Sequence, residues 1–266
     1  MVQRARRVLG TRAIGHTGTL DPFATGLLVV LVGRATRLAR YVEAEQKTYL
    51  ATARLGVATE TDDLTGRPTG DAVDVGRLRS EDIARVLQGF IGTQQQRPPR
   101  YSAKHVDGER SYRLARRGVQ VEPPEATVTV HGLEVVRVAL PEVMFRATVS
   151  AGTYLRALAR DLGERLGVGA HLTALRREAI GSLRVEDAVP LERLSREAVL
   201  PPRRALGHLP ALELDEAERA AVSHGRAVAT GPEISGDVAL VHGEDLVAVA
   251  RAEAGWLRPA VVLAAR

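Results

Sequence analysis

The chain has 266 residues, 45% of them hydrophobic, which is enough to bury the core of one large domain or of one large and one small domain. It has no cysteine, which excludes disulfides, zinc knuckles, iron–sulfur clusters and thiol nucleophiles. The net charge is +5, with seven arginines and one acid in residues 1–40 but nine acids and five arginines in residues 211–266. A basic body indicates a polyanionic partner, although charge alone leaves a solvated charged surface equally open. No apolar stretch approaches the ~20 residues of a membrane span, so we predict a cytoplasmic protein.

The hydrophobic periodicity predicts a mixed succession of helices and strands. In the first half of the chain we predict, in order, a helix over residues 2–9 without a capping residue, a buried strand over 27–32, a helix over 35–44, a strand over 48–55, a loop over 59–70 and a helix from Ser80, as its cap, to about Gln88. Two prolines and many charges then predict an exposed segment over 94–108, followed by a short basic helix over 110–117.

In the second half the predicted elements are strands over 128–138 and 143–150, a helix over 153–166 that ends at Gly167, an extended segment over 170–186, a helix over 214–224, and strands over 237–242, 245–251 and 258–264. The predicted fold class is therefore mixed α+β, with strands dominating. Pro201 and Pro202 mark a connector. We place a boundary near residue 208, between a domain of residues 1–208 and a small β-rich domain of residues 209–266.

The segment GHTGTLDPFATG, residues 15–26, is the first candidate site. Its three glycines and its proline exclude a regular helix or strand, and such a loop exposes backbone N–H groups to a ligand. It holds a single acid, Asp21, whose conformation Pro22 restricts. A capping aspartate at a turn and a phosphate-binding loop are the alternatives, but the Gly-Lys-Ser/Thr ending of a nucleotide-binding loop is absent.

Extended to GHTGTLDPFATGLL, the same segment resembles the signature of the bacterial tRNA pseudouridine synthase B family, which makes pseudouridine-55 in the T loop of tRNA. The resemblance implies that Asp21 is the nucleophile, that the uridine is flipped out of its stack, and that neither a cofactor nor a metal is needed. It also implies a mostly antiparallel central sheet with flanking helices, a basic thumb insertion at about residues 94–120, and a small RNA-binding-like C-terminal domain over residues 209–266.

Three further segments carry the resemblance. Lys47-Thr48-Tyr49 implies that Tyr49 stacks on the target base and acts as a general base. The stretch from Ser150 to Arg156 implies that Tyr154 lines the pocket and that Arg156 pairs with Asp21, since an arginine fixes the orientation of a carboxylate. The basic stretch over residues 97–118 implies RNA contacts in the thumb. Its predicted RNA-binding residues are Arg100, Tyr101 and Lys104.

Other residues receive roles by the same resemblance. His16, with Thr17 and Gly18, is predicted near the flipped base, while Arg176 and Arg177, together with His171, are predicted as RNA contacts at the pocket wall. The acids of the loop over residues 59–63 imitate a metal site, but without a ligand pattern they are weak support for one. Asp161 and Arg165, four residues apart, are predicted to form a helix-stabilising pair.

One departure from the family pattern concerns the start of the chain. Family members begin with a strand carrying a Lys-Pro-x-Gly segment, which this sequence lacks, so we expect an N-terminally truncated chain of impaired activity. The alternatives are a non-catalytic tRNA-binding or tRNA-folding protein, a synthase subunit directed by a guide RNA, and a phosphate-binding metabolic enzyme. The mildly acidic tail favours a stand-alone monomer that acts on tRNA without a guide RNA.

Overall fold

The computed structural model describes residues 1–102, 105–106, 109–110, 117, 123–231 and 233–263. Its helices are α1 (Val2–Leu9), α2 (Ala39–Glu43), α3 (Ser80–Gln88), α4 (Leu155–Arg165) and α5 (Glu216–Ser223). Its strands are β1 (Ile14–Thr17), β2 (Thr25–Gly26), β3 (Val29–Val32), β4 (Lys47–Leu55), β5 (Gly92–Gln96), β6 (His105–Val106), β7 (Glu109–Arg110), β8 (Ala126–Ala139), β9 (Glu142–Val149), β10 (Ala170–Ile180), β11 (Leu183–Arg184), β12 (Ala211–Glu213), β13 (Val228–Ala229), β14 (Gly236–His242), β15 (Asp245–Glu253) and β16 (Trp256–Val262). The predicted mixed α+β fold, with strands dominating, is confirmed.

The chain divides into two compact units. Unit one comprises Met1–Thr19, Leu28–Glu45 and Ile180–Arg266, and unit two comprises Leu20–Leu27 and Gln46–Ala179. The chain therefore enters unit two for eight residues, 20–27, before it returns. The boundary predicted near residue 208 stays a prediction. None of the helices among the described residues is long and apolar enough to span a membrane.

The N-terminal part of unit one is a helix packed on a pair of antiparallel strands, β1 and β3. The predicted helix over residues 2–9 is confirmed, and no side chain caps its start at Met1. It ends at Gly10, whose left-handed backbone (φ 66°) lets its N–H donate to the Arg6 carbonyl. Ala5 and Leu9 of α1 bury their side chains with Ile14 of β1, which pairs antiparallel with β3.

Unit two is built on a sheet with the strand order β10-β4-β9-β8-β5, to which β2 adds by pairing with β10. The pairs β4–β9, β9–β8 and β8–β5 are antiparallel, whereas β2 and β10 run parallel. Alternating side chains of β4 and β9, such as Ala51, Phe145 and Val149, form the core, and Leu158 and Leu162 of α4 pack against them. Helix α4 therefore has one face fixed by the core, which aims its other side chains at the adjoining loops.

The C-terminal part of unit one contains a second sheet with the order β12-β14-β15-β16-β13 and its own apolar core. The three predicted strands after residue 236 are confirmed, with bounds displaced by one or two residues. Helix α5 begins with a capping box, because Asp215 accepts a hydrogen bond from the Glu218 N–H and the Glu218 carboxylate accepts one from the Asp215 N–H.

Two local predictions were wrong, and a third was confirmed with a different type of helix in its first part. Ser80 does not cap α3: the extended residue before the helix is Arg79, and no side chain caps the helix. Residues 94–108 are not a uniformly exposed segment, because residues 94–96 belong to β5 and Pro98 and Pro99 are buried. The helix predicted over residues 35–44 starts as a 3₁₀ helix (Gly33–Leu38) before it continues as α2. The short basic helix predicted over residues 110–117 lies outside the described residues, apart from Arg110 and Arg117.

Candidate active site

The loop that carries Asp21 is held at both of its ends in unit two. Leu20 and Phe23 pack against the core, and the Ala24 N–H donates to the Asp21 carbonyl at 3.0 Å, which closes a turn around Pro22. The loop ends in β2, where Gly26 pairs with Arg177 of β10. Gly26 has a φ of 98°, and a Cβ placed there would lie 2.2 Å from the Arg177 carbonyl oxygen, so only glycine permits this close approach.

Arg156, in the first turn of α4, binds the Asp21 carboxylate through a bidentate pair of hydrogen bonds. Its Nε donates to Asp21 Oδ2 at 3.0 Å, and its Nη2 donates to Asp21 Oδ1 at 2.8 Å. The same guanidinium donates from Nη1 to the Thr61 carbonyl and from Nη2 to the Tyr101 carbonyl, both at 3.0 Å. The Arg156 side chain is 5% exposed and the Asp21 side chain 26% exposed. The carboxylate is therefore fixed in orientation yet open on one side.

A second carboxylate, Asp63, stands behind Arg156. Its Oδ2 lies 3.6 Å from Arg156 Nη1, and its side chain is 6% exposed. The hydroxyls of Thr61 and Thr65 donate to Asp63 Oδ1, as does the Thr65 N–H at 2.9 Å. A buried carboxylate with several donors is well compensated, and it places a negative charge beside the guanidinium that orients Asp21.

The neighbouring acid, Asp62, faces a different arginine on the same helix. Its backbone is left-handed (φ 59°), and its Oδ2 lies 3.1 Å from Arg160 Nη1. Burial raises the pKa of the Asp62 carboxyl to about 6, against the opposing effect of the Arg160 cation. Arg160 also donates to the Arg97 carbonyl at 3.0 Å and to Asp161 Oδ1 at 2.8 Å. Asp62 and Asp63 thus pair with arginines of α4. Among the described residues, no group of three or more side chains is arranged to hold a metal ion.

Two tyrosines, Tyr49 and Tyr154, have a raised pKa, chiefly through burial, and the nearby negative charge of Asp21 adds a smaller rise to both. Tyr49 of β4 is buried; burial is the main cause of its raised pKa, and a hydrogen bond from Arg177 opposes the rise. Tyr154 precedes α4, and burial is likewise the main cause of its raised pKa. The Tyr154 N–H donates to Gln96 Oε1 at 2.9 Å, and the Gln96 amide donates to the Tyr154 carbonyl at 3.1 Å. This reciprocal pair fixes the main chain at the entrance to α4.

The structure brings together Asp21, Tyr49, Tyr154 and Arg156, with Tyr101 joined to them through its carbonyl. The other candidate residues lie elsewhere. Arg100 and Arg176 are exposed, Arg177 is buried, and His171 is buried with its Nδ1 2.7 Å from the Val57 carbonyl oxygen. His16, Thr17 and Gly18 belong to unit one, where His16 is exposed on β1 and Thr17 is buried. Lys104 lies outside the described residues.

Sequence reasoning missed the two acid–arginine contacts and misjudged a third. Asp63 was not expected beside Arg156, nor Asp62 beside Arg160, although two arginines spaced four residues apart on one helix face were a usable signal. The predicted pairing of Asp161 with Arg165 is wrong. Asp161 pairs with Arg160, and the Arg165 guanidinium lies 3.8 Å from the centre of the Phe90 ring.

Most of the chain matches two domain profiles of one protein family. Residues 6–155 match the N-terminal domain profile of the TruB family pseudouridylate synthases, and residues 156–205 match the tRNA pseudouridylate synthase B C-terminal domain. The fold and the site thus define a pseudouridylate synthase, an isomerase. A solved H/ACA RNP bound to a substrate RNA containing 2′-deoxyuridine has a chain that is 25% identical, with a TM-score of 0.77, over 100% of this chain and 80% of that one.

Two curated relatives are closer in sequence. The tRNA pseudouridine synthase B of Synechococcus sp. (strain WH7803) is 41% identical over 280 residues, which cover 100% of this chain and 93% of the relative. That of Thermobifida fusca (strain YX) is 44% identical over 279 residues, which cover 99% of this chain and 93% of the relative. The chain belongs to the TruB family, as the resemblance of the GHTGTLDPFATGLL segment predicted.

Proposed function

We propose that this synthase converts uridine-55 in the T loop of tRNA to pseudouridine, with Asp21 as the nucleophile. The main support for the proposal is the bidentate pair of hydrogen bonds from Arg156 to Asp21, because it orients a carboxylate whose side chain is still 26% exposed. The names of relatives 41% and 44% identical over nearly the whole chain support tRNA as the substrate.

The chemistry follows from the position of Asp21. A uridine inside a folded RNA must leave its stack before a protein carboxylate reaches it, so the base is flipped. A carboxylate oxygen then attacks C1′ of the ribose or C6 of the uracil, and the bond between C1′ and N1 breaks. The base turns, C5 bonds to C1′, the C5 proton leaves, N1 gains a proton, and the bond to Asp21 is released. The product is an isomer of the substrate, so the reaction as written needs no external redox partner.

The residues around Asp21 have separate parts in this proposal. Arg156 holds the carboxylate in one orientation in every step, and Tyr49 stacks on the base and accepts the C5 proton. Tyr154 lines the pocket. The exposed Arg100 and the half-buried Tyr101 lie in the basic, partly aromatic segment that we propose contacts the T loop by phosphate pairing and stacking, together with Lys104. His16, Thr17, Gly18 and Arg176 complete the proposed RNA-binding set.

We also propose that the protein acts as a single chain without a guide RNA. The similar solved chain belongs to an H/ACA RNP, whereas the relatives of higher identity are named as tRNA pseudouridine synthase B alone. Purified protein that has been treated with nuclease is therefore expected to modify an unmodified tRNA transcript as fast as untreated protein does. Activity that appears only after a second RNA is added would contradict this part of the proposal.

The test of the main proposal is tritium release from tRNA that carries [5-³H]uridine. Wild-type protein should release one equivalent of tritium per tRNA, and a transcript with cytidine at position 55 should release none. Asp21→Asn keeps the shape of the side chain but removes the nucleophile, so it should release none while it still binds tRNA. Turnover by Asp21→Asn, or release from the cytidine-55 transcript, would overturn the assignment. Binding without turnover by the wild type would favour a non-catalytic role.

A further inference from the structure

Arg177 is the largest fully buried side chain among the described residues, with 1% of its surface exposed. A guanidinium cannot lose its hydration without partners that replace the lost hydrogen bonds, so its surroundings report what it does. Its neighbour on β10, Arg176, is exposed. The two arginines predicted as a pair of RNA contacts therefore occupy opposite environments.

The first set of Arg177 contacts is with the end of the Asp21 loop. Its backbone pairs with Gly26, and its carbonyl accepts a hydrogen bond from the Leu27 N–H at 2.9 Å. Its side chain returns to the same residue, because Nε donates to the Leu27 carbonyl at 2.7 Å. The backbone and the side chain of Arg177 thus both hydrogen-bond to Leu27, six residues after Asp21, and fix the end of the loop.

The second contact is with Tyr49. Burial raises the pKa of the Tyr49 phenol, and Arg177 lies close enough for its charge, and then a hydrogen bond between the two side chains, to oppose that rise. Tyr49 is 8% exposed and sits on β4, which is next to β10 in the sheet. One buried cation therefore touches the segment that ends the nucleophile loop and also the proposed general base.

We propose that Arg177 is a positioning residue that holds the Tyr49 hydroxyl and the end of the Asp21 loop in one geometry, and that it does not contact RNA. The proposal rests on the proposed function, because it assigns Tyr49 and Asp21 their parts in the isomerisation. A misplacement of reacting groups by about 1 Å costs about 100-fold in rate. Arg177→Gln should therefore lower the single-turnover rate by about that factor, while the Kd for tRNA stays within about twofold and its salt dependence is unchanged.

The kinetic experiment uses single-turnover tritium release at saturating tRNA, with filter binding at several salt concentrations. Arg54→Gln is the matched control, since Arg54 is an exposed arginine of β4 outside the site. Arg177→Lys keeps a buried cation and should recover part of the rate. If Arg177→Gln does not fold, as thermal unfolding would show, Arg177→Lys alone carries the test. A weakened Kd and a reduced salt slope with an unchanged rate would show an RNA contact and overturn the proposal.

A double-mutant cycle separates positioning through Tyr49 from a general structural role. In a Tyr49→Phe background, Arg177→Lys should slow the reaction much less than it does in the wild type. Fully additive effects would overturn the link to Tyr49. In the absence of RNA, ultraviolet titration of the phenols, with Tyr49→Phe as the reference, should show a higher pKa for Tyr49 in Arg177→Gln, which removes the cation. That titration stands even if tRNA is not the substrate, and an unmoved Tyr49 pKa would overturn the contact itself.

Discussion

Replacement of Arg156 by lysine tests whether the bidentate hydrogen bonds from Arg156 orient Asp21 for the reaction. Arg156 makes two hydrogen bonds to Asp21, one to the Thr61 carbonyl and one to the Tyr101 carbonyl. Lysine keeps the charge, but its single nitrogen cannot reproduce the parallel pair on both carboxylate oxygens. A hydrogen bond to a charged group contributes about 1.5–3 kcal/mol. Since about 1.4 kcal/mol corresponds to a tenfold change in rate, loss of one of the two hydrogen bonds to Asp21 should lower kcat about 10- to 100-fold.

The assay is single-turnover tritium release at saturating tRNA, with tRNA affinity measured in parallel. Arg165→Lys is the control, because Arg165 lies on the same helix but stacks on Phe90 and donates to the Gly89 carbonyl instead. It should change kcat by less than about twofold, with at most about 1 kcal/mol lost in stability. If Arg156→Lys turns over at the wild-type rate, the bidentate hydrogen bonds do not orient the proposed nucleophile. If Arg156→Lys and Arg165→Lys lose the same share of the rate, the cause is damage to the helix.

Three further predictions concern stability and the loops. Asp63→Asn should lower the free energy of unfolding by about 1–3 kcal/mol and slow turnover, as urea unfolding and tritium release would show, because it removes the charge 3.6 Å from Arg156. The pKa of Asp62 rises from 3.8 to about 6, so the folded protein binds the extra proton. The contribution of Asp62 to the free energy of unfolding is therefore greatest below pH 3.8 and falls by about 3 kcal/mol as the pH rises to about 6. Urea unfolding between pH 4 and 7 should show this fall in the wild type and not in Asp62→Asn. Gly26→Ala should abolish turnover and lower the thermal midpoint, whereas Gly132→Ala, with no atom within 4 Å of the added Cβ, should do neither.

The sequence predicted the elements of the fold well where side chains alternate or repeat with a helical period. β4, β8 and β9 follow such patterns, and their predicted ranges agree with the structure. β5 was missed because it consists of one glycine and four polar residues, 93–96, and its pairing with β8 supplies the stability that its composition does not indicate. Ser80 fails as a cap because the chain turns one residue earlier, at Arg79, whose side chain binds Asp82.

The pairing of Asp21 with Arg156 was available from the sequence only through the family resemblance. The two residues are 135 positions apart, and no local pattern connects them. The role of Asp63 was not available at all, because it depends on a loop folding back against α4. The prediction of Arg177 as an RNA contact at the pocket wall took no account of burial, which the structure shows for this side chain. An arginine is usually exposed, whereas this one is buried and lies in the part of β10 that pairs with β2.

The division of the first 45 residues between the two units has a consequence for biosynthesis. Residues 20–27 belong to unit two, yet the side chains that hold them there are made much later: Arg156 follows Asp21 by 135 residues, and Arg177 follows Leu27 by 150. During translation the loop therefore emerges from the ribosome long before its anchors exist. A nascent chain that stops before α4 carries the Asp21 carboxylate without the Arg156 hydrogen bonds that orient it, so this arrangement can form only when most of the chain has been synthesised.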